Sequence, residues 1–442
     1  MHPMRLRWNV GAFERISVRR ASARALGRDS IFSSRWIISI RLVLPFLPVA
    51  RGGGKEDHKN IPLSFFLSFF RIIVDVFYSQ NDSVFFFFFF FFFFSFFFSF
   101  FSQQQNMTKP GKGILAMDES NATCGSRLEG VGVENTEENR RRYRELLVTT
   151  PDLGKHIGGA ILFEETLYQS TKDGKAFVDC LKEQGIYPGI KVDKGLRPLA
   201  NSNGESWCQG LDGLAERAAE YYKQGARFCK WRSVVSIPSG PSKIAQTDCA
   251  YGLARYAAIC QNAGLVPIVE PEVLLDGEHT LEETYEVASA VWAETFKYLA
   301  DNNVMFDRML LKPSMVGPGA DCPKRNTPEE VAEATLKMLN SRVPPATAGI
   351  MFLSGGLSEL DSTLYLNAMN QQPNPWHVSF SYARALQNSV IKTWAGDDAM
   401  VGKAQAILSR RAEENGLAQL GKFNPDESLA NTESTFQKNY VY

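Results

Sequence analysis

No C-x-x-C pair occurs in this chain. Its seven cysteines, Cys124, Cys180, Cys208, Cys229, Cys249, Cys260 and Cys322, are scattered and odd in number. That pattern excludes a disulfide framework and a structural zinc site and fits a reducing compartment. Net charge is lacking as well. The 48 Lys and Arg balance 48 Asp and Glu, so the composition calls for no nucleic-acid partner. The five histidines, His2, His58, His156, His279 and His377, show no ligand spacing. We therefore expect no metal and no cofactor, and read His279 and His377 as structural or surface residues.

Acids are nearly missing from residues 1–50, where Glu14 and Asp29 stand alone among Arg and Ser. That is the profile of an organellar transit peptide. Phe-rich low complexity follows, unbroken over Phe85–Phe94 and continuing to Phe101. Its apolar length suffices for a membrane span, but Arg71 and Asp75 interrupt the earlier part and a phenylalanine homopolymer is no normal span composition. We expect no membrane partner. Phe and Ser have pyrimidine-rich codons, and Gln103–Gln105 follow as CAG codons would. Residues 51–105 thus read as a translated intron end with its splice acceptor; a spliced message encoding the Phe tract would contradict this. We set residues 1–105 apart as an extension, with a folded domain over 106–420 and a flexible tail over 421–442.

From Pro110 onward, short apolar runs alternate with helical stretches. The runs are Ile114–Met117, Gly159–Phe163, Tyr187–Ile190, Ala226–Cys229, Val266–Val269, Met309–Leu311, Ile350–Leu353 and Val378–Phe380. Helices are expected over Glu134–Val148, Ala176–Gln184, Leu211–Gln224, Tyr251–Asn262, Glu282–Asn302 and Pro328–Asn340. Such alternation implies a parallel sheet. About eight units over roughly 250 residues is the size of a (β/α)8 TIM barrel. Nearly every run ends in polar residues: Asp118 and Glu119, Glu164, Lys191, Lys230 and Arg232, Glu270 and Glu272, Lys312, Ser354-Gly355-Gly356, then Ser381 and Arg384. In a barrel those ends form the catalytic rim.

Lys312 is the organising residue. It follows a short apolar strand that Pro313 closes, because proline cannot extend a ladder. A desolvated lysine is pushed toward the neutral amine, which attacks carbonyls to form Schiff bases. Lys230 and Lys191 would face the same cavity, and three like charges imply that at least one amine is neutral near pH 7. Asp118 and Glu270 can move protons during carbinolamine formation and dehydration. A Schiff base withdraws electrons, so carbon–carbon bonds can break without metal. Ser354-Gly355-Gly356 and Arg384 suit one phosphate, and Arg127 a second on the opposite side. Two anion sites flanking a lysine point to a bisphosphorylated substrate.

The motifs LAMDES (Leu115–Ser120), GIKVDKG (Gly189–Gly195), KWR (Lys230–Arg232), VPIVEPE (Val266–Glu272), LLKPSM (Leu310–Met315), FLSGG (Phe352–Gly356) and FSYARALQ (Phe380–Gln387) resemble class I fructose-bisphosphate aldolase. The resemblance runs from Pro110 to Tyr442. NATCG (Asn121–Gly125), FEETLYQST (Phe163–Thr171) and the ending YVY resemble the plastid type of plants. The resemblance implies reversible cleavage of fructose 1,6-bisphosphate to dihydroxyacetone phosphate and glyceraldehyde 3-phosphate, in glycolysis, gluconeogenesis and the Calvin cycle. It implies Lys312 as the Schiff-base lysine, Glu270 as acid/base for dehydration and Asp118 as the carboxylate for the C4 hydroxyl proton. Lys230 and Lys191 polarise the site and bind substrate, alongside Arg232, Glu272 and Ser381. Ser354, Gly355, Gly356 and Arg384 resemble one phosphate site, Arg127 belongs to the other, and Tyr442 assists proton exchange at the enamine. A homotetramer in the chloroplast stroma is implied, or a cytoplasmic one if the extension is artefactual.

The chain also departs from that pattern. Ser102–Lys109 stands, without helical pattern, where the family carries a helical segment. Cys229 replaces a usual Ala, Leu357 a usual Gln and Ser126 a usual Lys. Three alternatives stay open at this point: a related Schiff-base aldolase preferring sedoheptulose bisphosphate, a catalytically silent barrel used as a binding scaffold, and a membrane-tethered aldolase.

Overall fold

Along the strands that follow Gly113, residues of one face are apolar at the start and charged at the end. Phe228, Lys230 and Arg232 share a face, as do Val266, Ile268, Glu270 and Glu272, because side chains alternate along a strand. The computed structural model, which describes residues 16–20, 36–40, 106–428 and 430–438, shows what this pattern builds. Eight parallel strands close into a barrel. They are β1 (Gly113–Met117), β2 (Ile157–Leu162), β3 (Tyr187–Lys191), β4 (Phe228–Val235), β5 (Val266–Val273), β6 (Leu310–Leu311), β7 (Gly349–Phe352) and β8 (Val378–Tyr382). Each pairs with its successor, and β8 pairs with β1.

An apolar layer fills the lower interior. Met107, Ile114, Ala116, Ile161, Phe228, Val266, Ile268, Leu310 and Met351 form one cluster there. Phe228 supplies most of the bulk, and β3 accommodates it with Gly189, where a Cβ would come within 2.3 Å of the Phe228 ring. The charged residues stand above this layer. A larger second cluster, including Trp231, Trp292 and Trp394, lies between the strands and the surrounding helices. The two faces of each strand thus serve two cores, and the barrel is a packed cylinder with a polar rim.

Helices over Phe177–Glu183, Leu214–Gln224, Lys243–Asn262, Leu281–Asp301, Pro328–Arg342, Glu359–Asn370, Arg384–Trp394 and Val401–Gln419 surround the barrel. Two begin with reciprocal caps: Thr280 with Glu283, and Thr327 with Glu330. Each cap satisfies otherwise orphaned amides and contributes about 1 kcal/mol.

Several sequence expectations are corrected. Strands β4 and β5 do not stop at Cys229 and Val269 but run to Val235 and Val273. Their charged residues face inward and find partners, so they need not end the ladder. The helix expected over Tyr251–Asn262 begins at Lys243, where Ser242 caps it. The helix expected from Glu134 begins at Glu137, capped by Thr136. Asn106 and Met107 are helical, although Ser102–Lys109 reads without helical pattern. Met107 is held in the apolar layer, and Asn106 donates 2.7 Å to the Gly185 carbonyl.

The N-terminal unit contributes one described feature, an antiparallel pair of Ile16–Arg20 with Trp36–Ile40. The Phe tract and Tyr442 lie outside the described residues. No helix among the described residues is long and apolar enough to cross a membrane.

Candidate active site

The register of the barrel sets the site. Lys191 on β3 is paired with Lys230 on β4, and Arg232 with Glu270 on β5. Lys312 follows β6 directly, its amide donating 2.8 Å to the Val269 carbonyl. This places Lys312 Nζ 3.0 Å from Glu270 Oε1. The other oxygen of Glu270 lies 2.8 Å from Lys230 Nζ. Lys230 in turn reaches Asp118 Oδ2 at 3.0 Å. Four charged side chains from β1, β4, β5 and β6 therefore form one continuous ion-pair chain, and all four are nearly inaccessible to solvent.

Burial penalises the charged form of each group, and the pairs decide the outcome. Burial pulls the Asp118 carboxyl up, but the ammonium groups of Lys230, Lys312 and Lys191 outweigh it and hold it at about 2. Burial pulls Lys230 down, and Asp118, Glu270 and Asp193 more than offset it, so its amine is raised above the ordinary lysine value. This corrects part of the expectation that the three lysines depress one another. The carboxylates dominate around Lys230 and keep it cationic. Asp118 keeps its other oxygen, Oδ1, buried and without a hydrogen-bond partner. That oxygen can accept a proton or a hydroxyl.

A cavity at the rim is lined by Asp118, Lys230, Arg232, Glu270, Glu272, Lys312, Ser354, Gly355, Ser381 and Arg384, together with Glu119. Ten of the expected site residues thus meet in one place. Arg232 Nε is 2.5 Å from Glu272 Oε2, and this charge holds Glu272 below the usual glutamate range against its burial. Lys191 sits 2.6 Å from Asp193 Oδ1 behind the cavity. Arg127 is not in the cavity lining; it lies on the helix Asn121–Glu129 and is ion-paired with Glu119, which is. Gly356 borders a larger neighbouring cavity of about 370 Å3, lined also by Leu275, Arg325, Tyr365 and Phe436.

The turn after β7 has positive φ at Gly355 (54°) and Gly356 (102°), a conformation that favours glycine. Gly356 is also crowded: a Cβ there would come within 3.0 Å of the Phe436 backbone. The described part of the tail lies over this turn. Thr435 N donates to Gly356 O at 3.0 Å, and Thr435 Oγ1 donates to Leu357 O at 2.8 Å. Arg384, the first residue of its helix, donates to the Thr435 carbonyl. Leu357 packs its side chain against the outer core. Cys229 is buried behind Lys230, and burial pushes its thiol well above the ordinary value.

Sequence reasoning passed over Glu119 and Asp193 as site residues, and Arg144 altogether. Glu119 follows Asp118 and reads as a second strand-end acid. Arg144 lies in the run ENRRRYRE, which reads as a solvated helix face, yet it is buried and bonded to Glu119 at 2.7 Å. Its signal is faint: Tyr143, Leu146 and Leu147 beside it form the buried stripe of that helix. Among the described residues no histidine lines the rim cavity. His377 lies at the barrel bottom, its Nε2 3.1 Å from the Lys112 carbonyl, as a structural residue should. Among the described residues no group of three or more His, Cys, Asp and Glu is placed to hold a metal ion.

Comparison with known proteins is consistent with this geometry. The family model for fructose-bisphosphate aldolase class-I matches residues 100–442. The chain is 71% identical over 333 residues to fructose-bisphosphate aldolase 1, chloroplastic, of Chlamydomonas reinhardtii, covering 75% of this chain and 88% of the relative. It is 67% identical over 339 residues to the chloroplastic fructose-bisphosphate aldolase of Oryza sativa subsp. japonica, covering 76% and 87%. Among solved structures it is similar to fructose-bisphosphate aldolase from Plasmodium falciparum, determined in a ternary complex with TRAP and a small-molecule inhibitor. The TM-score there is 0.73 at 48% identity, covering 74% of this chain and 95% of the other.

Proposed function

The chain belongs to the class I fructose-bisphosphate aldolase family, and we propose that Lys312 carries its Schiff base, with Glu270 and Asp118 moving the protons and Lys230 holding both carboxylates. The single observation behind this assignment is the unbroken chain Lys312–Glu270–Lys230–Asp118, with contacts of 3.0, 2.8 and 3.0 Å.

The steps follow from those contacts. Lys312 passes a proton to Glu270, 3.0 Å away, and the freed amine attacks the C2 carbonyl of fructose 1,6-bisphosphate, giving a carbinolamine once the nitrogen proton has moved to the oxygen. Glu270, beside Lys312, protonates the carbinolamine hydroxyl, which leaves as water and yields the iminium ion. Lys230 holds Glu270 and Asp118 in place. Asp118 takes the C4 hydroxyl proton through Oδ1, and the C3–C4 bond breaks. Its electron pair moves into the iminium, giving an enamine, and glyceraldehyde 3-phosphate departs. The enamine is reprotonated at C3, a step that Tyr442 assists. Water then hydrolyses the iminium, releasing dihydroxyacetone phosphate and Lys312.

The two phosphates are told apart by distance from Lys312. Carbon 1 neighbours the attacked carbon, and the turn Ser354–Gly356 follows β7, the strand next to Lys312. With Arg384 this turn takes the C1 phosphate, donating charged hydrogen bonds. Arg127, on the β1 side, takes the C6 phosphate. Arg232, Glu272 and Ser381 line the path between, and Lys191 adds its charge beside Lys230, its partner in the sheet. Relatives named chloroplastic support a place in the plastid, and we assign the enzyme to the stroma, with residues 1–50 as transit peptide and a homotetramer as the assembly. Substituting Lys312 tests the assignment. Lys312→Arg keeps the charge but removes the nucleophile, so cleavage should vanish; retained cleavage would assign the Schiff base elsewhere.

A further inference from the structure

Glu119 is a fully buried carboxylate held between two guanidinium groups. One oxygen pairs with Arg127 Nη1. The other lies 2.7 Å from Arg144 Nη1, and the Glu119 carbonyl accepts a second bond from Arg144 Nη2 at 3.2 Å. The side chains of Glu119 and Arg144 are each 2% exposed, whereas Arg127 is 9% exposed. Arg144 is therefore out of reach of any substrate, and Glu119 lines the rim cavity.

The charges can be counted. Glu119 alone would neutralise Arg127, and a neutral pair attracts no phosphate. Burial raises the Glu119 carboxyl, but Arg144 first and Arg127 second overcome it, so Glu119 is ionised and its pKa lies below the usual range. The triad as a whole carries one net positive charge, and Arg127 is its most exposed member. Ser126, exposed beside Arg127 where the family usually carries a lysine, adds none.

We propose that Arg144 is a positioning residue for the second phosphate: by taking up the charge of Glu119, it leaves the charge of Arg127 available to the substrate. This rests on the assignment of Arg127 to the C6 phosphate given above. The bidentate grip of Arg144 on Glu119 fixes the carboxylate, and the carboxylate fixes Arg127, so both charge and direction are set from behind the site.

Steady-state cleavage of fructose 1,6-bisphosphate and fructose 1-phosphate by the full chain tests this. Arg144→Met should raise KM for the bisphosphate about ten-fold, the worth of one charged hydrogen bond, and leave kcat/KM for fructose 1-phosphate unaltered. Arg144→Lys keeps the charge but loses the second bond to Glu119, so KM for the bisphosphate should fall between wild type and Arg144→Met. Arg144→Met leaves the buried carboxylate with Arg127 as its one charged partner and can fail to fold. The double variant Glu119→Gln/Arg144→Met removes the buried carboxylate together with its partner and carries the test in that event. With Glu119 neutral, Arg127 needs no compensation, so KM for the bisphosphate should stay within about three-fold of wild type. A ten-fold rise in the double variant, or an equal loss on both substrates in any variant, would overturn the inference. Arg127→Ala separates the two claims. If it fails to discriminate between the substrates, the assignment of Arg127 falls and takes this inference with it. If it discriminates and the Arg144 variants do not, the inference alone falls.

Discussion

Lys230 Nζ lies 3.0 Å from Asp118 Oδ2, and this contact sets the protonation of the proposed base. Burial by itself would raise Asp118, and Lys230 is the strongest of the charges that bring it down to about 2. Lys230→Met should release that hold while the burial stays. The Asp118 pKa then rises, and the acid limb of the kcat profile moves to higher pH. A loss in kcat of about a hundred-fold should accompany it, the usual worth of a positioned proton-transfer group. An acid limb that does not move would mean that Asp118 is not the titrating base.

Arg384 has two claims upon it. It donates to the Thr435 carbonyl of the tail, and in the proposed mechanism it binds the C1 phosphate. The phosphate must therefore exchange with the tail. Arg384→Ala should weaken the bisphosphate roughly ten- to a hundred-fold, from a charged hydrogen bond of about 1.5–3 kcal/mol. Binding of fructose 6-phosphate, which lacks the C1 phosphate, should be far less affected. Isothermal titration of both sugars measures this, and equal losses would assign Arg384 to the fold.

His377 gives the fold an acid-sensitive point away from the rim. Burial holds its imidazole down at about 4 against an ordinary 6.5. Between these values the unfolded chain binds the proton that the folded chain refuses, so stability is full above pH 6.5 and falls as pH drops toward 4. The complete loss amounts to roughly 3 kcal/mol. His377→Gln, whose amide nitrogen stands in for Nε2, can keep the bond to the Lys112 carbonyl without titrating. Its melting temperature should fall less than that of wild type between pH 7.5 and pH 5. An identical fall in both proteins would remove His377 as the cause.

The barrel was legible in the sequence because its strands end where their chemistry begins. Asp118, Glu270 and Lys312 stand out at the ends of apolar runs, and all three meet at the rim. What escaped were polar residues that are buried and paired. Lys230 and Glu270 read as strand ends, yet β4 and β5 continue past them because inward charges satisfy one another across the barrel. The helices Glu359–Asn370 and Val401–Gln419 were missed for the same reason. Arg411, Glu414 and Asn415 are buried with Glu359 and Thr363 in one hydrogen-bonded group, which breaks the apolar periodicity of both helices. Arg144 hid in a run of charged residues, since pairing with a distant glutamate adds nothing local to the faint signal of the buried stripe around it.

The central claim is that Lys312 forms the covalent intermediate, and chemical trapping tests it most directly. The enzyme is incubated with dihydroxyacetone phosphate, reduced with borohydride and digested, and the modified peptide is identified by mass spectrometry. Reduction converts the iminium to a stable secondary amine, so the ligand stays on the lysine that attacked. The account predicts a single modified peptide, the one containing Lys312, and none in Lys312→Arg. Label on Lys230 or Lys191, or no label at all, would contradict it.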